Sequence, residues 1–179
     1  DIISVTPQAF ESYFNTSILG RARSDKKIDI RIHNLRDFAV GKHRQVDDKP
    51  YGGGAGMVLM PEPIIKAVEF IKKLSRAGKR AKVVLLSAKG KPFNQKMAYG
   101  WAKTAKQIIF ISGRYEGIDE RVRDIVKAEE VSIGPYVLTD GDIAAMTMIS
   151  AIARLVPGVI RLESLQEESH WNLLLKKEK

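Results

Sequence analysis

The chain has 179 residues, 44% hydrophobic and 28% charged, with 30 Lys and Arg against 21 Asp and Glu and no cysteine. That is an ordinary globular composition, long enough for one domain with a real core. A disulfide scaffold, a thiolate nucleophile and cysteine-ligated metals are excluded. No apolar run approaches the roughly 18 residues of a membrane span, and no signal-peptide pattern opens the chain. A cytoplasmic protein without membrane contact is expected, and Asp1 in place of Met suggests less than the whole gene product.

The net charge of +9 is concentrated. Residues 61–110 carry 12 basic and 2 acidic side chains, whereas residues 111–160 carry 5 and 8. A polyanion suits the middle zone, because each neutralised phosphate releases counterions. Solvated helix faces would explain the same charges.

In chain order, residues 2–5 read as a short strand and Phe10 to Phe14 opens a helix ending near Gly20. Ile28, Ile30 and Ile32 alternate with charged residues over 27–33, the pattern of a half-buried strand. Residues 36–56 are polar and glycine-rich and predict a long loop. Pro61 to Leu74 is amphipathic, a predicted helix. Residues 83–86 and 108–111 are continuous apolar runs, as in strands buried on both faces. Helices are predicted over 94–105, 118–126 and 140–155, with a short strand over 131–133. Thr139 and Asp142 stand in capping-box positions for the last helix, and Asp119 and Arg123 at the spacing of a helix-surface ion pair. This alternation predicts an α/β fold with a largely parallel sheet flanked by helices, ligands lying beyond the C-terminal strand ends.

The loop Tyr51-Gly52-Gly53-Gly54-Ala55-Gly56-Met57 is neither a Walker loop nor a dinucleotide fingerprint. Its glycines allow close backbone approach to a ligand or second chain, and a plain flexible loop remains the competing reading. Segments 87–90, 112–117 and 133–141 each follow a predicted strand and are rich in small residues. Together they would form a crevice of backbone donors and acceptors suited to an adenine-like ligand, with Ile133 and Leu138 against its faces. His33, His43 and His170 have no metal-ligand spacing and read as structural or solvent-exposed, and no nucleophile–base signature emerges.

Segments 46–57, 112–122 (Ser-Gly-Arg-Tyr-Glu-Gly-Ile-Asp-Glu-Arg-Val) and 132–138 (Ser-Ile-Gly-Pro-Tyr-Val-Leu) closely resemble the bacterial tRNA guanine-N1 methyltransferases of the TrmD family. Segments 20–22, 34–38 and 154–159 are similar to it as well, so the resemblance spans about residues 1–171. It implies a SPOUT-class fold with a deep C-terminal trefoil knot over residues 1–160, working as a homodimer on tRNA with S-adenosylmethionine and a magnesium requirement. Residues 161–179 would be an interdomain linker and truncated tail, the family's helical C-terminal domain being absent. The implied cofactor-binding residues are Leu85, Leu86, Ser87, Gly113, Tyr115, Glu116, Gly117, Ser132, Ile133, Gly134, Tyr136, Leu138 and Gly141. Asp47 and Gly56 are the implied substrate contacts. The implied reaction methylates N1 of the guanine 3′ of the anticodon. Arg154 would stabilise charge at guanine O6 and Glu168, with Glu167 the weaker candidate, would take the N1 proton. This chain has Glu167-Glu168-Ser169-His170 where the family carries Glu-Asp-Ser-Phe, and Asp140 where it carries glycine. The alternative is a non-catalytic knotted module that binds the cofactor or RNA.

Overall fold

The computed structural model describes residues 1–50, 52–74, 80–161 and 164. Strand β1 (Ile2–Ser4) leads through a 3-10 turn into two short helices, α1 (Glu11–Phe14) and α2 (Ser17–Ser24). Strand β2 (Ile32–Asn34) follows, then a 3-10 turn at Leu35–Phe38 and the small antiparallel pair β3 (Asp47–Asp48) and β4 (Val58–Leu59). Helix α3 (Pro61–Leu74), strand β5 (Lys82–Pro92), helix α4 (Gln95–Thr104) and strand β6 (Ile108–Ile111) come next. Helix α5 (Arg121–Val126), strand β7 (Glu129–Ser132) and helix α6 (Asp142–Ala153) complete the fold.

The main sheet has the order β2-β1-β6-β5-β7, with every pairing parallel. Side chains alternate across it. Ile2, Val84, Leu86, Phe110 and Val131 face a cluster with α4, α6 and the first helices. Ile3, Val83, Leu85, Ile109 and Ile111 face a second cluster with α3 and α5. Burial on both faces is why residues 83–86 and 108–111 read as unbroken apolar runs.

Several expectations need correction. The alternation over 27–33 yields a strand only at Ile32–Asn34, because only there does the segment reach β1; Ile30 is buried without joining the ladder. The single helix expected over 10–20 is broken after Phe14, where Thr16 is extended and Ser17 has φ +51°. The long loop 36–56 contains β3, paired with β4 beyond it. Segment 87–90 belongs to β5, which runs on to Pro92 with a register shift against β7 between Leu86 and Lys91. Gly90 permits this, since a Cβ there would lie 2.5 Å from the Val131 amide nitrogen. Helix α5 starts only at Arg121, so Asp119 lies outside it and cannot make the helical pair with Arg123; it bonds Arg121 instead. Thr139 does not cap α6; the Asp142 amide donates to Asp140 Oδ1 at 3.0 Å. No helix among the described residues is long and apolar enough to cross a membrane.

Candidate functional site

A cavity of about 410 Å³ opens at the C-terminal ends of β5, β6 and β7. Its volume falls in the roughly 300–1,000 Å³ range of small-molecule sites. Leu85, Leu86 and Ser87 form the wall from β5; Gly113, Tyr115, Glu116 and Gly117 form the wall after β6. Ser132, Ile133, Gly134, Tyr136, Leu138 and Gly141 close it from β7 and the approach to α6. All thirteen residues singled out for a cofactor thus meet at one cavity.

Local chemistry fixes each wall. Ser132 Oγ donates to Gly134 O at 2.8 Å and accepts from Gly134 N at 3.1 Å, folding the turn back on itself. The Tyr136 ring then lies over Gly134, where a Cβ would come within 2.3 Å of it. Tyr115 holds a left-handed φ of +60°, a conformation that bulky residues rarely adopt outside functional loops. Gly141 N donates to Gly113 O at 2.8 Å, and a Cβ on Gly141 would press to 3.0 Å from the Gly113 nitrogen. Asp142, 3% exposed, accepts from Thr6 Oγ1 and Ser112 Oγ, each at 2.6 Å, and so ties α6 to the ends of β1 and β6.

The glycine loop docks on this site from the side. Met57 O accepts from Glu116 N, Leu59 N donates to Gly117 O, and Asp119 N donates to Leu59 O, at 3.0 to 3.1 Å. Gly56 lies against the Glu116 side chain. Asp47, in β3, pairs in register with Leu59. The structure therefore brings Gly56 to the Glu116 side of the cavity wall, while Asp47 is held beside Leu59, three residues beyond Gly56 in the chain.

Lys89, from the segment 87–90 expected at the crevice, also lines the cavity, as do Asp119, Glu120, Arg123 and Glu130, which the sequence pattern did not single out for it. Lys89 pairs with Glu120, which raises the ammonium pKa, and reaches Glu130 at 3.8 Å; Arg123 reaches Glu130 at 3.7 Å. The Arg121 guanidinium holds the Asp119 carboxyl below the ordinary carboxylate range. Lys89 reaches the cavity from within β5, whose continuation past Leu86 has no sequence signal. Arg154 is the C-cap residue of α6. Glu167, Glu168 and His170 lie outside the described residues. His43 is exposed, while His33 is largely buried, its Nε2 2.8 Å from Asp1 Oδ1. No group of three or more His, Asp or Glu among the described residues is placed to hold a metal ion.

A family model described as tRNA (Guanine-1)-methyltransferase TrmD matches residues 1–179. The tRNA (guanine-N(1)-)-methyltransferase of Dehalococcoides mccartyi is 49% identical over 98% of this chain and 70% of its own length. The enzyme of the same name from Carboxydothermus hydrogenoformans is 50% identical over 98% of this chain and 68% of its own. The crystal structure of tRNA (m1G37) methyltransferase from Aquifex aeolicus superposes with a TM-score of 0.79 at 36% identity, covering 89% of this chain and 70% of that one.

Proposed function

The chain belongs to the tRNA (guanine-1)-methyltransferase TrmD family and is a tRNA guanine-N1 methyltransferase; we propose that it modifies the guanine 3′ of the anticodon, with S-adenosylmethionine in the cavity at the ends of β5, β6 and β7. The observation that carries the cofactor reading is that cavity. Residues of β5 and of the segments after β6 and β7 surround a space of ligand size, with Leu138 and Ile133 offering apolar surface to a flat base. S-adenosylmethionine supplies an electrophilic methyl group on a sulfonium sulfur that leaves as a neutral thioether.

The chain's own part is to make guanine N1 a nucleophile. Glu168 would take the N1 proton as the N1 lone pair bonds to the methyl carbon. The Arg154 guanidinium would stabilise the negative charge shared with O6. The target base must leave its stack to reach the methyl group. Gly56, with Asp47 behind it, would form the guanine side of the site. A magnesium ion, which membership of the family implies, belongs to the same proposal.

The larger organisation belongs to the same proposal. Residues 1–160 would form the methyltransferase domain, with 161–179 the linker that carries the base. Asp140 bridges Arg114, and Gly141 is pressed on Ser112 and Gly113, a close passage that supports threading of the C-terminal segment as a trefoil knot. Tyr136 and Val137 stand exposed at the cavity, which supports completion of the site by a second copy in a cytoplasmic homodimer.

The test is transfer of labelled methyl from S-adenosylmethionine to a tRNA transcript with guanine 3′ of its anticodon, beside a transcript with adenine there. Guanine-dependent incorporation is expected. Cofactor binding without incorporation would instead favour the non-catalytic module.

A further inference from the structure

We propose that Asp140 makes the cavity discriminate between the cationic methyl donor and its neutral product, an inference that rests on the cofactor reading above. The carboxylates of the cavity wall are not equivalent. Glu120 is paired with Lys89, Glu130 is flanked by Lys89 and Arg123, and Asp119 is bonded by Arg121 at 2.7 and 2.9 Å. Glu116 and Asp140 make no ion pair among the described residues. The nearest candidate partner for Asp140 by backbone pairing is Arg114, and its guanidinium donates to Thr6 Oγ1 at 3.3 Å.

Asp140 is also held in place. Its Oδ1 accepts from the Asp142 amide at 3.0 Å at the start of α6, and the next residue, Gly141, is bonded directly to Gly113 in the cavity wall. The charge therefore sits on a fixed wall and is not a mobile surface group. A sphere of 410 Å³ is about 9 Å across, close to one Debye length at physiological salt, so a ligand inside feels this charge largely unscreened. S-adenosylmethionine carries a sulfonium, an ammonium and a carboxylate, a net charge of +1. Loss of the methyl group as a cation equivalent leaves S-adenosylhomocysteine with net charge zero. The Asp140 carboxylate, which makes no ion pair among the described residues, lowers the free energy of the first complex relative to the second, so the spent cofactor is released in favour of fresh donor.

The experiment is titration calorimetry of wild type and Asp140→Asn with S-adenosylmethionine and, separately, S-adenosylhomocysteine. The amide oxygen of Asn can still accept from the Asp142 amide, so the substitution removes charge and keeps the anchor. The Kd for S-adenosylmethionine is expected to rise roughly three- to tenfold, while that for S-adenosylhomocysteine changes less than twofold. Equal shifts for both ligands, or none, would overturn the role of Asp140. Binding of neither ligand to wild type would overturn the cofactor reading beneath it. Should the Asn variant fold poorly, Asp140→Ser retains an oxygen for the same amide and must show the same selective loss.

Discussion

Gly56 couples the glycine loop to the cavity through a contact that allows no side chain. Its φ is +81°, and a Cβ would lie 2.5 Å from Glu116 Cγ. The backbone term costs an alanine about 1 kcal/mol, and the steric term pushes Glu116 from its place on the wall. Gly56→Ala should lower the melting temperature by about 2–4 °C and weaken S-adenosylmethionine binding at the same time. Unchanged binding with the expected melting shift would show that the loop reports on folding alone. His33 is a second residue with a readable consequence. Burial lowers its pKa from 6.5 to about 4, with the terminal ammonium and Arg31 adding to the effect. Because the folded state prefers the neutral ring, its contribution is complete above pH 6.5 and is lost as pH falls towards 4. The difference in melting temperature between wild type and His33→Gln should therefore shift against wild type across that window. A difference independent of pH would mean that the ring does not titrate on unfolding.

At the scale of elements, helices α3 and α4 and strand β6 were legible because their signals are local. Pro61 and Pro63 in the first turn and the apolar stripe of Ile64, Ala67, Val68 and Ile71 define α3. Asn94 Oδ1 accepts from Met97 N at 2.9 Å, so α4 begins where its cap residue stands. Asn94→Ala should cost about 1 kcal/mol, measured by denaturant midpoint. What sequence did not reveal was set by partners. β5 outruns its apolar segment because β7 offers hydrogen bonds past the register shift, and Gly90 alone can lie against Val131. Asp142 reads as half of a capping box but is drawn inward by Thr6 and Ser112, hydroxyls that are distant in the chain. The cavity was legible because segments 112–117 and 133–141 follow strand ends directly, although 87–90, read as a third such loop, continues β5. The pairing of Lys89 with Glu120 and Glu130 was not, because three separate elements bring them together.

Over the whole molecule, charge is divided between two tasks. The cofactor cavity is framed largely by the acid-rich residues 111–160, whereas Lys66, Lys72 and Lys73 stand on α3 and Lys96 and Lys103 on α4, helices on opposite faces of the sheet. Lys96 and Lys103, two turns apart on α4, are exposed and make no ion pair among the described residues; on α3 the half-buried Lys72 and the exposed Lys73 likewise make none. A small zwitterionic cofactor and a polyanionic tRNA should therefore respond differently to salt. If about four lysines engage phosphates, the association constant for tRNA should fall with a log–log salt slope near −3. S-adenosylmethionine affinity should change little over the same range, since it displaces no counterion atmosphere. Charge reversal separates the faces: Lys96→Glu with Lys103→Glu, set against Lys72→Glu with Lys73→Glu, should flatten the slope only for the pair that meets the RNA. A shallow slope in wild type would instead make the basic zone a solvating surface, leaving tRNA recognition to the glycine loop and the groups around the cavity.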